Sequence, residues 1–315
     1  MKQTLFADIV GQEGVKKRLE FYINGYKATK IIPHLMFVGE RGTGKTMMGR
    51  EVAKNLCFNG EKAKPMLEIN CSSLKTVRQF FNQVVFPLLM NNDVTILFDE
   101  ASELPRDLTM ALLTILNPNK DNRNVFTFDG AQVEFNFTRL SFMFCTTEPQ
   151  RVLHALLDRT TRIDLEPYTE KNLCDVLASK CGDIKLDDTI ANVAKIVRNN
   201  PRSAQKMAND IRSYCKQNKL TKFSNKEWID LRKILGIRDM GVNNLEFQIM
   251  KILLGTNGTR LTDLAVKTGM SSSSIQRDGE IFLLRNNLIE VHNGLRRLTN
   301  NGRKYLQEIF PSERS

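Results

Sequence analysis

The first half of the chain alternates short apolar runs with segments whose apolar residues recur at helical spacing. Such alternation is typical of an α/β fold in which helices cover both faces of a parallel sheet. The pattern predicts strands over 34–38, 66–70, 94–98 and 141–146, and helices near 12–25, 45–57, 74–90 and 105–116. The middle strands are rich in Val, Ile, Leu and Phe, as strands covered on both faces should be.

One element interrupts this rhythm before the strand at 141–146. Two alternating segments, 125–128 and 131–135, flank Asp129-Gly130, a pair typical of a two-residue type I′ turn. The pattern therefore predicts an inserted β-hairpin at about 124–137. Two roles fit it: an edge of the sheet, or a protruding finger that contacts DNA or a partner.

From about Glu166 the pattern is helical throughout, with segments near 169–180, 187–199 and 201–217 and no strand pattern. The small size of this part predicts a helical lid on the first domain. A chain of 315 residues is long for a single core. We expect three domains: 1–165 with the sheet and hairpin, 166–222 as the lid, and 223–315 as a linker and a third domain.

The third domain carries the pattern of a winged helix, with a new unit beginning near Gly236. Helices are predicted at 243–254 and 261–267, and a third helix opens at Ser271 to Ser274, where serine can cap free amides. Strands at 288–291 and 295–298 flank an Asn293-Gly294 turn, and a closing helix runs to about Phe310. Winged helices place their third helix in the DNA major groove, although some dock proteins instead.

Basic residues favour the DNA-binding interpretation. Phosphate contacts are expected on the third helix, on the wing and just beyond it. Five arginines occupy these places: Arg277, Arg285, Arg296, Arg297 and Arg303.

A phosphate-loop pattern, G-x-x-x-x-G-K-[ST], is matched by Gly39-Glu40-Arg41-Gly42-Thr43-Gly44-Lys45-Thr46, between a predicted strand and a predicted helix. Glycines there let backbone N–H groups close around phosphate oxygens at a helix N-terminus. Lys45 would reach the β and γ phosphates of a nucleotide, and the Thr46 hydroxyl would hold Mg²⁺.

A second signal of a nucleotide site is the acidic pair that ends the strand at 94–98. Asp99 would lie beside Mg²⁺, and Glu100 would orient or deprotonate a water molecule. Hydrolysis also needs further positive charge on the γ phosphate, which arginines commonly add. Suitable arginines occur in Asp158-Arg159-Thr160-Thr161-Arg162 and in Pro201-Arg202.

The composition indicates a polyanionic partner and a cellular compartment. Lys and Arg number 46 against 35 Asp and Glu, a net charge of +11 that suits nucleic acid. The six cysteines form no C-x-x-C pair and no Cys/His cluster, which is typical of reduced thiols in a cytoplasmic protein without zinc or disulfides. We also expect no signal peptide and no membrane span.

Together these motifs fall in the order found in AAA+ ATPases, and the set most resembles the RuvB family of Holliday junction branch-migration motors. The resemblance is carried by segment 6–12, the phosphate loop, segments 99–104 and 144–148, Leu157-Asp158-Arg159, Asn200-Pro201-Arg202 and the end of the winged helix at 299–303. It covers nearly the whole chain and implies an ATPase with a parallel-sheet domain, a helical lid and a winged helix.

The resemblance also implies roles for single residues. Ile9 and Val10 would lie against the adenine of ATP, and Thr147 would be the polar sensor of the γ phosphate or water. Arg202 would be the lid arginine that reports nucleotide state. Arg159 would be the finger inserted into a neighbour's site, which implies a homo-hexamer around duplex or branched DNA and a junction-recognising partner of RuvA type.

The sequence departs from the family in three places. The phosphate loop carries Glu40 and Arg41 where the family has proline, the hairpin is shorter, and Thr160-Thr161 replaces Phe-Gly after Arg159. The last departure leaves the finger open between Arg159 and Arg162. A replication initiator, or a helicase or clamp loader that uses ATP as an assembly switch, is the alternative function, and a transcription regulator is a third.

Overall fold

The computed structural model describes residues 5–58, 62–117 and 121–309. The chain divides into two compact units, Met1–Phe223 and Ser224–Ser315. The sequence predicts a boundary close to the start of the second unit. The further division of the first unit at residue 165 stays a prediction.

A five-stranded parallel sheet organises the first unit. Its strands are β1 Leu35–Val38, β4 Met66–Asn70, β5 Val94–Asp99, β8 Leu140–Thr146 and β9 Thr161–Asp164. Their spatial order is β4-β5-β8-β1-β9. The predicted α/β class and the four predicted strands are therefore confirmed. β9 was not predicted, because it is an edge strand in which only Ile163 is buried.

Helices cover both faces of this sheet, as the apolar strands require. They are α1 Glu13–Thr29, α2 Lys45–Ala53, α3 Val77–Phe80, α4 Arg106–Ile115 and α5 His154–Asp158. α3 continues as a π-helix, Phe81–Leu89, which contains Pro87. Proline has no N–H to donate, so the regular helical ladder cannot run through this position.

Alternate residues of the central strands β1, β5 and β8 enter two separate cores. Leu35 and Phe37 pack with α1 and α2, whereas Met36 and Val38 pack on the opposite side with the π-helix and α4. This alternation follows from the two-residue period of a strand. The central strands are therefore buried on both faces, which holds their carboxyl ends in a fixed relation to each other.

The predicted hairpin is present as β6 Arg123–Phe128 and β7 Ala131–Asn136. Asp129 and Gly130 have φ values of 49° and 81°, as a type I′ turn requires. The two strands form a sheet of their own, so the hairpin is not an edge of the central sheet and that interpretation is wrong. Its inner face packs on the π-helix, where the rings of Phe81 and Phe128 stack at 4.2 Å.

The helical part of the first unit has the three predicted helices, α6 Glu170–Cys181, α7 Thr189–Ile196 and α8 Pro201–Gln217. Two short strands, β10 Lys185–Leu186 and β11 Lys222–Phe223, pair with each other, which corrects the expectation of a strand-free segment. A further pair, β2 Cys57–Phe58 and β3 Lys62–Ala63, lies in the sheet part.

The second unit contains the predicted winged helix, preceded by the unpredicted helix α9 Asn225–Leu235. Its helices are α10 Asn244–Leu254, α11 Leu261–Thr268, α12 Ser272–Ser274, a π-helix Ile275–Glu280, α13 Ile281–Arg285 and α14 Asn300–Ile309. The wing is a three-stranded sheet of β12 Thr259–Arg260, β13 Ile289–His292 and β14 Leu295–Leu298. Phe310, the predicted end of the last helix, lies outside the described residues.

Among the helices that the structure describes, none has the length and apolar character needed to cross a bilayer.

Candidate functional site

The phosphate loop lies where the sequence predicts it, between β1 and α2. Gly42 and Gly44 have φ values of 85° and 96°, a region that L side chains rarely adopt. These two glycines turn the chain sharply so that α2 begins at Lys45, directly under the loop. The N-terminus of α2 therefore presents free amides to the space above the sheet, an arrangement that favours anions. Gly39 opens the loop, and Thr43 closes it by donating its hydroxyl to the carbonyl of Glu40 at 2.8 Å.

Lys45 is buried at the base of this loop. Its Nζ donates to the carbonyl oxygens of Gly39 and Glu40, both at 3.0 Å. Burial lowers the pKa of Lys45, while the nearby Asp99 and Glu100 carboxylates act in the opposite direction and raise it. The ammonium group thus sits in a poorly solvated position where an anionic ligand gains most from it.

The acidic pair stands beside the loop at the end of β5. Asp99 Oδ2 accepts a hydrogen bond from the Thr46 hydroxyl at 3.1 Å, and Asp99 Oδ1 accepts one from the Glu100 N–H at 3.0 Å. A hydroxyl and a carboxylate at this separation are oxygen ligands of the kind that Mg²⁺ prefers. Glu100 itself has a φ of 56°, so the backbone turns there.

A cleft of about 460 Å³ extends from these residues to the helical part of the unit. Its volume falls within the range of small-molecule sites. Of the predicted site residues, the described lining includes Ile9, Val10, Gly42, Gly44, Lys45, Thr46, Asp99, Glu100 and Arg202. Ile9 is buried at the end of the cleft formed by segment 8–10 and supplies it with an apolar wall.

The cleft also contains residues that sequence reasoning missed. Tyr168 is buried in the segment before α6, Lys180 lies in the last turn of α6, and Gln205 lies one turn into α8. Nothing in their sequence neighbourhood marks them as site residues, because they reach the cleft only through the fold. Asn200 does not line the cleft but contacts the loop at the Arg41 carbonyl. Its capping role could have been predicted, since Asn before Pro is a common way to begin a helix.

Thr147 follows β8, the strand that lies between β1 and β5. It therefore stands at the same sheet edge as the phosphate loop and the acidic pair. Among the residues that the structure describes, it is not one of those that line the cleft. The neighbouring Thr146 hydroxyl accepts a hydrogen bond from the Glu148 N–H at 3.1 Å, which shapes the turn after the strand.

The two arginines considered for a role in trans also lie outside the described lining of the cleft. Arg159 follows α5 and is half-buried; it donates to the Ala155 carbonyl at 3.0 Å, while its Nε is enclosed with no partner among the described residues. Arg162 is exposed on the edge strand β9, where its guanidinium pairs with Asp164 at 2.7 Å. Neither is directed to the chain's own nucleotide cleft.

In the winged helix, the five arginines predicted to contact DNA differ in their exposure to solvent. Arg277, Arg285 and Arg303 are exposed, and Arg297 is half-buried with an enclosed Nε. Arg296 is buried, and its guanidinium binds the buried carboxylate of Glu280 through contacts of 2.7 and 3.2 Å. The expectation that Arg296 contacts DNA is therefore corrected, because its charge is used inside the fold.

A phosphate loop and an acidic pair at one edge of a parallel sheet, facing the helical part of the same unit, define a nucleotide-binding ATPase domain. Residues 35–169 match the model of the ATPase family associated with various cellular activities (AAA). Residues 239–307 match the RuvB C-terminal winged helix domain. The chain thus combines an AAA-type ATPase domain with a winged helix of the kind that ends RuvB proteins, and it is similar to RuvB in both parts.

Curated relatives are similar to the chain over nearly its whole length. A Holliday junction branch migration complex subunit RuvB from Campylobacter fetus is 22% identical over 300 residues, which cover 92% of this chain and 84% of that protein. The protein of the same name from Mycoplasmopsis pulmonis is 24% identical over 313 residues, 96% of each.

Solved structures agree at the level of the fold. The Thermotoga maritima RuvB Holliday junction branch migration motor superimposes with a TM-score of 0.75 over 95% of each chain, at 19% identity.

Proposed function

We propose that this protein is an ATP-driven DNA motor that moves duplex DNA and drives the migration of Holliday junctions. The observation that carries the proposal is the group formed by Lys45, Thr46, Asp99 and Glu100, which faces Arg202 of the lid across one cleft in a chain that also has a RuvB-type winged helix. The names of its relatives support the same function.

ATP would be bound with its phosphates at the start of α2. Lys45 would contact the β and γ phosphates, and Thr46 and Asp99 would hold Mg²⁺. When bound, that ion neutralises charge on the phosphate oxygens. Glu100 would orient the attacking water and accept its proton, and Arg202 would contact the γ phosphate from the lid.

The base and the sensor complete the proposed site. Ile9 and Val10 line the cleft beside the lid and offer an apolar surface for adenine. Thr147, at the end of the strand between β1 and β5, would contact the γ phosphate or the water.

We further propose a homo-hexamer, because the site needs an arginine from a neighbouring chain. Arg159 is assigned this role in trans, and Arg162 is the alternative. Arg159 follows α5 and Arg162 lies on β9, and neither lines the cleft of its own chain, as expected of a residue used by a neighbour. Alanine variants of each, mixed with Lys45→Ala subunits, distinguish them, since only the true finger should regain activity in the mixture.

DNA would be contacted through phosphates by Arg277, Arg285, Arg297 and Arg303. A partner of RuvA type would dock on the outer face of the hairpin, where Val125 is half exposed. Two exposed ion pairs, Arg123 with Glu134 and Arg78 with Asp129, border that face. A short hairpin held in this way offers a small docking area, so a partner would need further contacts elsewhere.

The test is ATP hydrolysis and strand movement on a synthetic four-way junction, compared with linear duplex. Glu100→Gln should bind ATP yet hydrolyse it about 100-fold more slowly, because the general base is lost. The matched control is Glu103→Gln, because Glu103 lies one turn further on and pairs with Arg151 instead.

Hydrolysis at full rate without DNA, or hydrolysis that never moves a junction, would count against the motor. Binding to a single DNA site with slow turnover would instead favour an initiator or loader.

A further inference from the structure

One side chain of the lid touches the phosphate loop directly. Asn200 precedes α8, and its Oδ1 accepts hydrogen bonds from the N–H groups of Arg202 at 3.0 Å and Ser203 at 3.3 Å. Its Nδ2 donates to the carbonyl of Arg41 in the loop at 3.2 Å. A single carboxamide therefore caps the helix that carries Arg202 and also binds the backbone of the loop.

The loop is shaped to admit this contact. A Cβ atom added to Gly42 would lie 2.4 Å from Asn200 Oδ1, which is closer than real Cβ atoms approach any neighbour. Two features therefore favour glycine at position 42: the positive φ of the backbone and the close approach of the Asn200 side chain. Loop and lid are in contact at the phosphate end of the cleft.

A second link holds the lid at the other end. The Gln12 side chain donates to the Glu166 carbonyl at 2.6 Å and accepts from the Glu166 N–H at 2.9 Å. Gln12 follows Ile9 and Val10, the proposed adenine contacts, and is itself buried. The lid is therefore attached near both ends of the space that a nucleotide would fill.

We propose that Asn200 is a positioning residue that couples the phosphate loop to helix α8 and so sets Arg202 against the triphosphate. The inference rests on the proposed function, since it requires ATP in the loop. Arg202 stands near Lys45, whose pKa is lowered chiefly by burial and further by the Arg202 charge. A change in the loop on binding phosphate is transmitted to Arg202 through the Asn200 carboxamide.

The experiment measures KM and kcat for ATP, with binding of a fluorescent ATP analogue, in the full chain. Asn200→Ser keeps a capping oxygen but loses the donor to Arg41, and Asn200→Asp keeps the cap without any N–H. The control is Asn243→Ser, because Asn243 caps α10 in the other unit and has no role at the loop. Both Asn200 variants should raise KM at least fivefold and lower kcat, with an unfolding temperature like that of the control.

A double-mutant cycle with Gly42→Ala separates coupling from simple damage. Strain from the positive φ is present in both backgrounds and cancels, whereas the clash with Asn200 is relieved by the shorter serine. Gly42→Ala should therefore raise KM several-fold less in the Asn200→Ser background than in the wild type.

Equal effects of Gly42→Ala in the two backgrounds, or kinetics of Asn200→Ser like those of the control, would overturn the coupling while leaving the ATPase intact. A wild-type protein that neither binds nor hydrolyses ATP would overturn the proposed function and this inference together.

Discussion

Replacing Arg296 should destabilise the winged helix and not merely weaken DNA binding. The side chains of Arg296 and Glu280 are 10% and 4% exposed, and two contacts of 2.7 and 3.2 Å join them. Removing one member of such a pair leaves a buried charge without a partner, which costs about 3–5 kcal/mol. We expect Arg296→Met to lower the free energy of unfolding of this unit by that amount. Arg303→Ala, an exposed control, should change it by less than about 0.5 kcal/mol.

The assay is chemical denaturation followed by tryptophan fluorescence. Trp228 is the single tryptophan of the chain and is buried in α9, within the same unit as the ion pair. The double variant Arg296→Met with Glu280→Leu should recover most of the stability, because an apolar pair of similar size replaces both charges. It should also bind DNA like the wild type. A stable double variant that has lost DNA binding would refute the structural role and return Arg296 to the DNA interface.

Three further predictions concern stability. Burial lowers the pKa of His34 to about 4, so the unfolded chain binds more protons than the folded chain between pH 4 and 6.5. Acidification through that window should reduce the free energy of unfolding by at most about 3 kcal/mol. His34→Phe should abolish this pH dependence in calorimetry. Burial lowers the pKa of Lys64 to about 8, so stability should rise from pH 8 towards 10.5, and Lys64→Met should remove that rise in the same scans. A Cβ added to Gly302 would lie 2.0 Å from the Leu288 carbonyl oxygen, so Gly302→Ala should destabilise the second unit by about 1–3 kcal/mol in denaturation curves. Gly255→Ala is the control and should not destabilise it, because the space around Gly255 is open.

Much of the fold could be predicted because its signals are local. β1, β5 and β8 are almost wholly buried and therefore appear as continuous apolar runs. The edge strand β9 could not be found in this way, since Arg162 and Asp164 are exposed on either side of Ile163. A four-residue strand with one apolar position resembles a loop in sequence.

In the wing, the alternation of residues along β14 indicates which arginine is buried. In β14, Arg296 and Leu298 are buried, while Leu295 and Arg297 are half-buried. The two-residue period of a strand places Arg296 on the same face as Leu298, so alternation alone indicates which arginine turns inward. Its partner could not be predicted, because Glu280 lies on a different element.

The nucleotide site likewise has parts that local sequence predicts and parts that depend on contacts between distant residues. The loop and the acidic pair can be predicted because the backbone of a few consecutive residues determines how they meet phosphate and metal. The contact between Asn200 and Arg41 joins residues 159 positions apart, and the one between Gln12 and Glu166 spans 154. Such contacts depend on how the lid packs, so short motifs do not predict them. Binding is thus encoded locally, whereas the coupling of binding to the lid depends on the tertiary fold.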